Sequence, residues 1–250
     1  MKILVCNDDG IYAEGIIELA NALSEIGTVT VIAPKTEQSA VGHAITMKVP
    51  LRVNEHNFGN NIKAYAIEGT PADCIKIGIK NILKEKPDII VSGINHGSNT
   101  AISIVYSGTV SAAREAAIMG YPAIAISITD HRPTSFEAAN KIAKDLVQKV
   151  LNNNLPKGTL LNVNVPNLPL KDIKGILPTH QGLSKWDDVY EKRVDPYGNN
   201  YYWLTGHMEE LDTEIYNDQI AVKNNYAAVT PIHFDLTDYK AYDELKTWDL

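Results

Sequence analysis

Residues 2–11 read KILVCNDDGI, and the fold follows from them. After Lys2, the run Ile3, Leu4, Val5, Cys6 is apolar at every position, the pattern of a strand covered on both faces. It stops at a polar turn of Asn7, Asp8, Asp9 and Gly10. The next segment sets Ile16, Leu19, Ala20, Leu23 and Ile26 on one helical face. This alternation continues along the chain. Strands are expected over 28–33, 63–67, 88–92, 123–128 and 159–165, and helices over 70–83, 108–119 and 135–151. The helix at 70 has a legible start, with Thr70 as N-cap, Pro71 at the first helical position and Asp73 three residues after the cap. Short apolar strands alternating with amphipathic helices predict an α/β fold, a mostly parallel sheet with helices on both faces.

Beyond Pro166 the pattern changes to prolines, aromatics and short alternating runs, as at 200–204 and 227–232. The expected organisation is an α/β core over 1–166 and a β-rich or extended C-terminal appendage over 167–250, an arm that packs on a second subunit. Trp186, Tyr201, Tyr202 and Trp203 are read first as core or interface residues, with nucleobase stacking as the alternative.

The chain has 250 residues, 44% of them hydrophobic and 21% charged, which excludes a disordered protein. Its 30 acidic and 23 basic residues give a net charge of −7, which speaks against a sequence-independent nucleic-acid coat. It does not exclude a small anionic substrate, since a bound cation can reverse the local sign. Two cysteines, Cys6 and Cys74, in apolar surroundings make no disulfide framework and fit a reducing cytoplasm. The first residues lack the pattern of a cleaved leader. The stretch 89–113 carries no Asp, Glu, Lys or Arg, yet Asn95, His96, Ser98, Asn99, Ser103 and Ser107 make it too polar to span a membrane. A cytoplasmic protein with neither membrane nor nucleic-acid partner is expected.

In a parallel sheet, ligands bind at the carboxyl ends of the strands. The residues after each expected strand are Asp8 and Asp9, then Ser39, Gly42 and His43, then Asn95, His96, Ser98 and Asn99, and finally Ser107, Gly108 and Thr109 at a helix start. Adjacent carboxylates repel unless a cation neutralises them, and one helix cap satisfies only one of the two. Mg²⁺ or Mn²⁺ prefers such oxygen ligands, and Ser39 and Asn95 add neutral ones. A GxGxxG phosphate turn is absent after the first strand, so a phosphate reaches that turn only through a metal. Ser107, Gly108 and Thr109 suit an anion at a helix N-terminus, or simple capping by Ser107. No HExxH or GxSxG pattern points to a zinc site or a serine hydrolase. Asp73 and Arg114 are read as a cap and a surface ion-pair partner.

The segments KILVCNDDGI at 2–11, APKTEQSAVGHAIT at 33–46, EGTPADC at 68–74, PDIIVSGIN at 87–95, YSGTVSAAREA at 106–116, LLNVNVP at 160–166, DPYGNNYYWLTG at 195–206 and AAVTPIHFDLT at 227–237 resemble the stationary-phase survival protein SurE family in composition and order. The resemblance implies a Rossmann-like core with a C-terminal extension that swaps between subunits, in a homodimer or dimer of dimers. It implies one divalent ion per subunit on Asp8, Asp9, Ser39 and Asn95. It also implies hydrolysis of nucleoside 5′- and 3′-monophosphates, with short polyphosphate as a further substrate. Asp8 and Asp9 are then the catalytic residues, and Asn99, Ser107, Gly108, Thr109 and His43 the substrate-binding candidates. Two departures bear on substrate contacts: Ala101 and Ser103 stand where the family has Gly and Asp, and His180 stands in place of an Arg.

Other readings compete. The first strand also resembles response-regulator receiver domains, but their phosphoacceptor position falls here on Gly93. A haloacid-dehalogenase-type phosphatase expects Asp-x-Asp, which Asn7-Asp8-Asp9 does not supply. A non-catalytic, Mg²⁺-dependent nucleotide-binding module is the remaining alternative.

Overall fold

A computed structural model describes residues 1–60, 62–211 and 213–249. Eleven strands are seen among them: β1 (Lys2–Cys6), β2 (Thr28–Pro34), β3 (Val53–Asn57), β4 (Lys63–Ile67), β5 (Ile89–His96), β6 (Ala123–Ile128), β7 (Thr159–Val165), β8 (Ile176–Pro178), β9 (Lys185–Val194), β10 (Asn200–Glu209) and β11 (Ala227–His233). The helices are α1 (Glu14–Ser24), α2 (Pro71–Ile77), α3 (Ser103–Tyr106), α4 (Gly108–Ile118), α5 (Glu137–Asn153), α6 (Asp218–Lys223) and α7 (Tyr239–Leu245).

Nine strands form one sheet in the order β3-β4-β2-β1-β5-β6-β7-β11-β8. The six from β4 to β7 are mutually parallel. Taken in chain order they have the Rossmann arrangement, whose direction of winding reverses beside the first strand, here between β1 and β5. Antiparallel β3 pairs with β4 at one edge. At the other, β11 runs antiparallel to β7 and β8 pairs parallel with β11. The sheet therefore continues past β7 with two strands from beyond residue 166. What stands apart is the two-stranded antiparallel hairpin β9–β10.

Alternation along β1 explains the two layers. Ile3 and Val5 face α1 and α5, packing with Leu19, Leu23, Ile142 and Leu146. Leu4 and Cys6 face the other way, against Ile75, Ala112, Ala113 and Ala116 of α2 and α4. The alanines let α4 lie close to the sheet. Burying each full-sized aliphatic side chain here contributes about 1.5–3 kcal/mol.

The start of α2 is as expected. Thr70 accepts from the Asp73 backbone N–H, and the Asp73 carboxylate accepts from the Thr70 N–H. Its end differs, because α2 stops at Ile77 and the chain widens into a turn closed by the Leu83 N–H on Gly78 O at 2.9 Å. Of the core or interface roles expected for Trp186, Tyr201, Tyr202 and Trp203, the core role fails within this chain: they are 48, 40, 58 and 57% exposed, because they lie on the free-standing hairpin. Cys6 and Cys74 are free, buried thiols lying against each other, and burial pushes the Cys74 thiol well up. Among the described residues, no helix is long and apolar enough to cross a membrane.

Candidate active site

The carboxyl ends of β1, β2 and β5 open into a cavity of about 1080 Å³ beside the switch point. Asp8, Asp9, Ser39, Asn95, Asn99 and Ser107 all line it. Residues as far apart in sequence as Asp8 and Ser107 thus meet because parallel strands deliver every polar turn to one edge.

Asp8 is the most enclosed of the set, 5% exposed. Burial pushes its carboxyl up to about 6, the hydrogen bond from Thr109 opposes this, and the Asp9 charge adds to it. The Thr109 hydroxyl and backbone N–H both donate to Asp8. Val110 N–H meanwhile donates to the Ser107 hydroxyl at 3.0 Å. This corrects one expectation. The N-terminus of α4 does receive an anion, but that anion is the protein's own Asp8 carboxylate. Thr109 is fully buried and neither it nor Gly108 lines the cavity. Gly108 has a packing role instead, since a Cβ there would lie 2.6 Å from Asp8 Cβ and 2.8 Å from its Oδ2.

Asp9 is pushed up to about 6 as well, by burial first; a backbone hydrogen bond from His96 opposes this and the Glu37 charge adds to it. Its Oδ2 is buried and has no hydrogen-bond partner. Asn95 lies within β5, past a register shift between Ser92 and Asn95, and not in the loop after a strand ending at 92. Such a bulge re-aims a side chain. The Asn95 Nδ2 donates to Gly97 O at 2.7 Å, which fixes the amide and leaves Oδ1 for another partner. The Ser39 hydroxyl donates to Glu37 Oε1 at 2.5 Å, so its oxygen lone pairs stay available.

These groups fit a hard divalent cation. One buried carboxylate oxygen lacks a partner, two carboxyls are held protonation-prone by burial, and the neighbouring amide and hydroxyl present only oxygen. Among the described residues no group of three or more His, Cys, Asp or Glu is placed to hold a metal ion. The candidate set is the mixed one of two acids, a hydroxyl and an amide.

His43 lies outside the cavity. Its Nε2 pairs with Glu115 Oε2 at 2.9 Å, and Lys76 Nζ reaches Glu115 Oε1 at 2.7 Å. Burial alone would raise the Glu115 carboxyl, but these two partners win and hold it below the usual range. His43 is thereby tied to a buried acid between α2 and α4. Arg114 makes no surface ion pair among the described residues. Its Nε is buried without a partner, and burial lowers the guanidinium pKa.

The loop after Asn99 is held from far along the chain. Asn99 donates its N–H to Asn164 Oδ1 and its Nδ2 to Ser127 Oγ, while Asn162 and Asn164 donate to its carbonyl. Ala101 N–H donates to Asp218 Oδ2 at 3.0 Å, and Gln181 Nε2 donates to Ala101 O at 3.0 Å. Ala101 adopts φ = 49°, the left-handed region that favours glycine, so the loop takes a glycine-type bend with an alanine at that position. Ser103 lines the cavity, whereas His180 does not and is exposed. Asp218 and Glu37 escaped sequence reasoning. Asp218 follows no strand of the parallel set, and Glu37 sits two residues from Ser39 without a motif of its own.

Fold and site together define a doubly wound α/β protein with an acidic, oxygen-lined cleft at the carboxyl edge of its sheet. A sequence profile described as "Survival protein SurE" matches residues 3–188. The "5'-nucleotidase SurE" of Chlorobaculum tepidum is 48% identical over 248 residues, covering 99% of this chain and 94% of the relative. That of Syntrophobacter fumaroxidans is 48% identical over 250 residues, covering 100% of both. The crystal structure of the SurE protein from Aquifex aeolicus superposes with a TM-score of 0.86 at 42% identity, covering 98% of each chain. The chain belongs to the SurE survival-protein family.

Proposed function

We propose that the chain is a phosphomonoesterase that hydrolyses nucleoside 5′- and 3′-monophosphates to nucleoside and phosphate, with short polyphosphate as a further substrate. The partnerless buried Oδ2 of Asp9, beside a second carboxylate at the switch point, carries this reading. The printed names of the relatives support the nucleotidase activity.

Asp8, Asp9, Ser39 and Asn95 would hold one Mg²⁺ or Mn²⁺. When bound, such a cation neutralises phosphate charge and polarises the phosphorus centre. The chain's own residues do the rest. Ser107 and Asn99, on the cavity wall, hold phosphate oxygens and set the ester in line for attack. Thr109 and Gly108 act one step back by fixing Asp8. Asp9 takes a proton from the attacking water as the water oxygen bonds to phosphorus. The ester P–O bond then breaks, and the leaving oxygen takes a proton from solvent.

The test is AMP hydrolysis after dialysis against chelator. Activity should vanish and return with added Mg²⁺ or Mn²⁺. Full turnover in excess chelator would exclude the cation's role, and tight AMP binding without turnover would favour the non-catalytic alternative.

The hairpin's outward aromatics, Tyr201 and Trp203, are proposed as a contact between subunits. Sedimentation should then show two or four chains per particle, and a monomer at micromolar concentration would refute this.

A further inference from the structure

The carboxylate end accounts for only part of the cavity. A phosphate group fills a small fraction of about 1080 Å³, a volume just above the ~300–1,000 Å³ range of small-molecule sites. The hairpin contributes a further wall, in which Trp186, Asp188, Leu204 and Gly206 line the cavity. The register explains why these four act together. Trp186 and Asp188 are two apart on β9, Asp188 pairs with Gly206, and Leu204 is two residues before Gly206 on β10, so all share one face. Gly206 leaves a notch opposite Asp188, where a Cβ would strike Asp187 O at 2.1 Å. The hairpin base is fixed, with Ser184 2% exposed and the Gly182 N–H on Asp218 Oδ1 at 3.1 Å.

The chemistry of this wall is wrong for phosphate. Asp188 repels an anion and, when ionised, only accepts hydrogen bonds. Lys185 also lines the cavity, but its charge is paired with Glu209 Oε2 at 3.6 Å. Trp186, 48% exposed, lines the cavity and brings a large flat aromatic ring to this wall. An aromatic face beside a hydrogen-bond acceptor, in the same chamber as a phosphate site, suits a heterocyclic base and the hydroxyls that join it to the phosphate.

We propose that Trp186 is the base platform of a nucleoside subsite, with Asp188 accepting from the hydroxyl or amino groups of the nucleoside. This rests on the phosphomonoesterase reading and adds to it a source of selectivity for nucleotides over other phosphate esters.

The experiment compares kcat/KM for AMP with that for ribose 5-phosphate, which has the sugar and phosphate but no base. The wild type should prefer AMP. In Trp186→Ala the AMP to ribose 5-phosphate ratio should fall by about 10- to 100-fold, the worth of one base–aromatic stack, and mainly through KM for AMP. Trp186→Phe should restore most of the ratio. An unchanged ratio in Trp186→Ala overturns the proposal, as does equal loss on both substrates, which would mark a structural role. A wild type that hydrolyses both esters equally well also overturns it while leaving the phosphomonoesterase standing. If no phosphate ester is turned over with any divalent cation, both fall.

Discussion

Asp9→Asn should lose AMP hydrolysis by about a hundredfold or more, and the cation-free protein should become more stable. The two effects have one cause. Burial holds the Asp9 carboxyl at about 6, above its ordinary 3.8. A folded-state pKa above the unfolded one means that the folded chain binds the proton more tightly. The resulting stability is complete below about pH 4 and is lost as pH rises through about 6. At pH 7.5 the wild type therefore keeps a buried charge that it would be more stable without. A shift of about two units corresponds to roughly 3 kcal/mol at most, and partial exposure of Asp9 reduces this to about 1–3 kcal/mol. For a chain of this length each kcal/mol moves Tm by about 2–4 °C. Thermal melts in chelator should place Asp9→Asn several degrees above the wild type at pH 7.5, with the gap closing toward pH 4. Mn²⁺ should raise the wild-type Tm and leave the variant almost unmoved. A variant that melts lower than the wild type at pH 7.5 would contradict this account of the site.

Gly108→Ala should be the other severe substitution. The added methyl would meet Asp8 Cβ at 2.6 Å, Oδ2 at 2.8 Å and Cγ at 3.0 Å, all inside normal contact. Nothing there can yield easily. Asp8 is held by Thr109, and Thr109 is fully buried on a helix packed against the sheet. Alanine is otherwise the better helix former by about 1 kcal/mol, so a rise in stability would be expected from propensity alone. Overpacking of about 1–3 kcal/mol should outweigh it. A displacement of Asp8 by about 1 Å is enough to cost about a hundredfold in rate. The expected result is a folded protein with slightly reduced Tm, activity down by two orders of magnitude, and weakened cation-induced stabilisation. Wild-type kcat in this variant would show that Asp8 is not held where the geometry places it.

Much of this was legible in the sequence because it is local. KILVC followed by NDDG declares a buried strand ending in a charged turn, and Thr70-Pro71-Ala72-Asp73 declares a capped helix. Parallel order then follows from alternation, and with it the gathering of Asp8, Asp9, Ser39 and Asn95 at one edge. What escaped depends on contacts between distant segments. That the N-terminus of α4 serves Asp8 could not be read from SGT, since capping, phosphate binding and holding a carboxylate use the same residues. Asn95 was placed in a loop because its polar neighbours hid the continuation of β5. The hairpin aromatics read equally as core or interface residues, and the core half of that reading fails because they lie on a hairpin outside the main sheet; β11 was separated from a sheet that it extends.

The bonds from Asp218 and Gln181 to the loop at Ala101 also set an order of events. A chain emerging from the ribosome begins at its N-terminus, so Asp8, Asp9, Ser39 and Asn95 are all made while the residues that pin their neighbouring wall do not yet exist. The hydrogen bonds at Ala101 close across 117 positions of chain. The chemistry is therefore encoded early and assembled late. Nascent chains that stop short of Asp218 carry every proposed ligand without the clamp on the Ala101 loop.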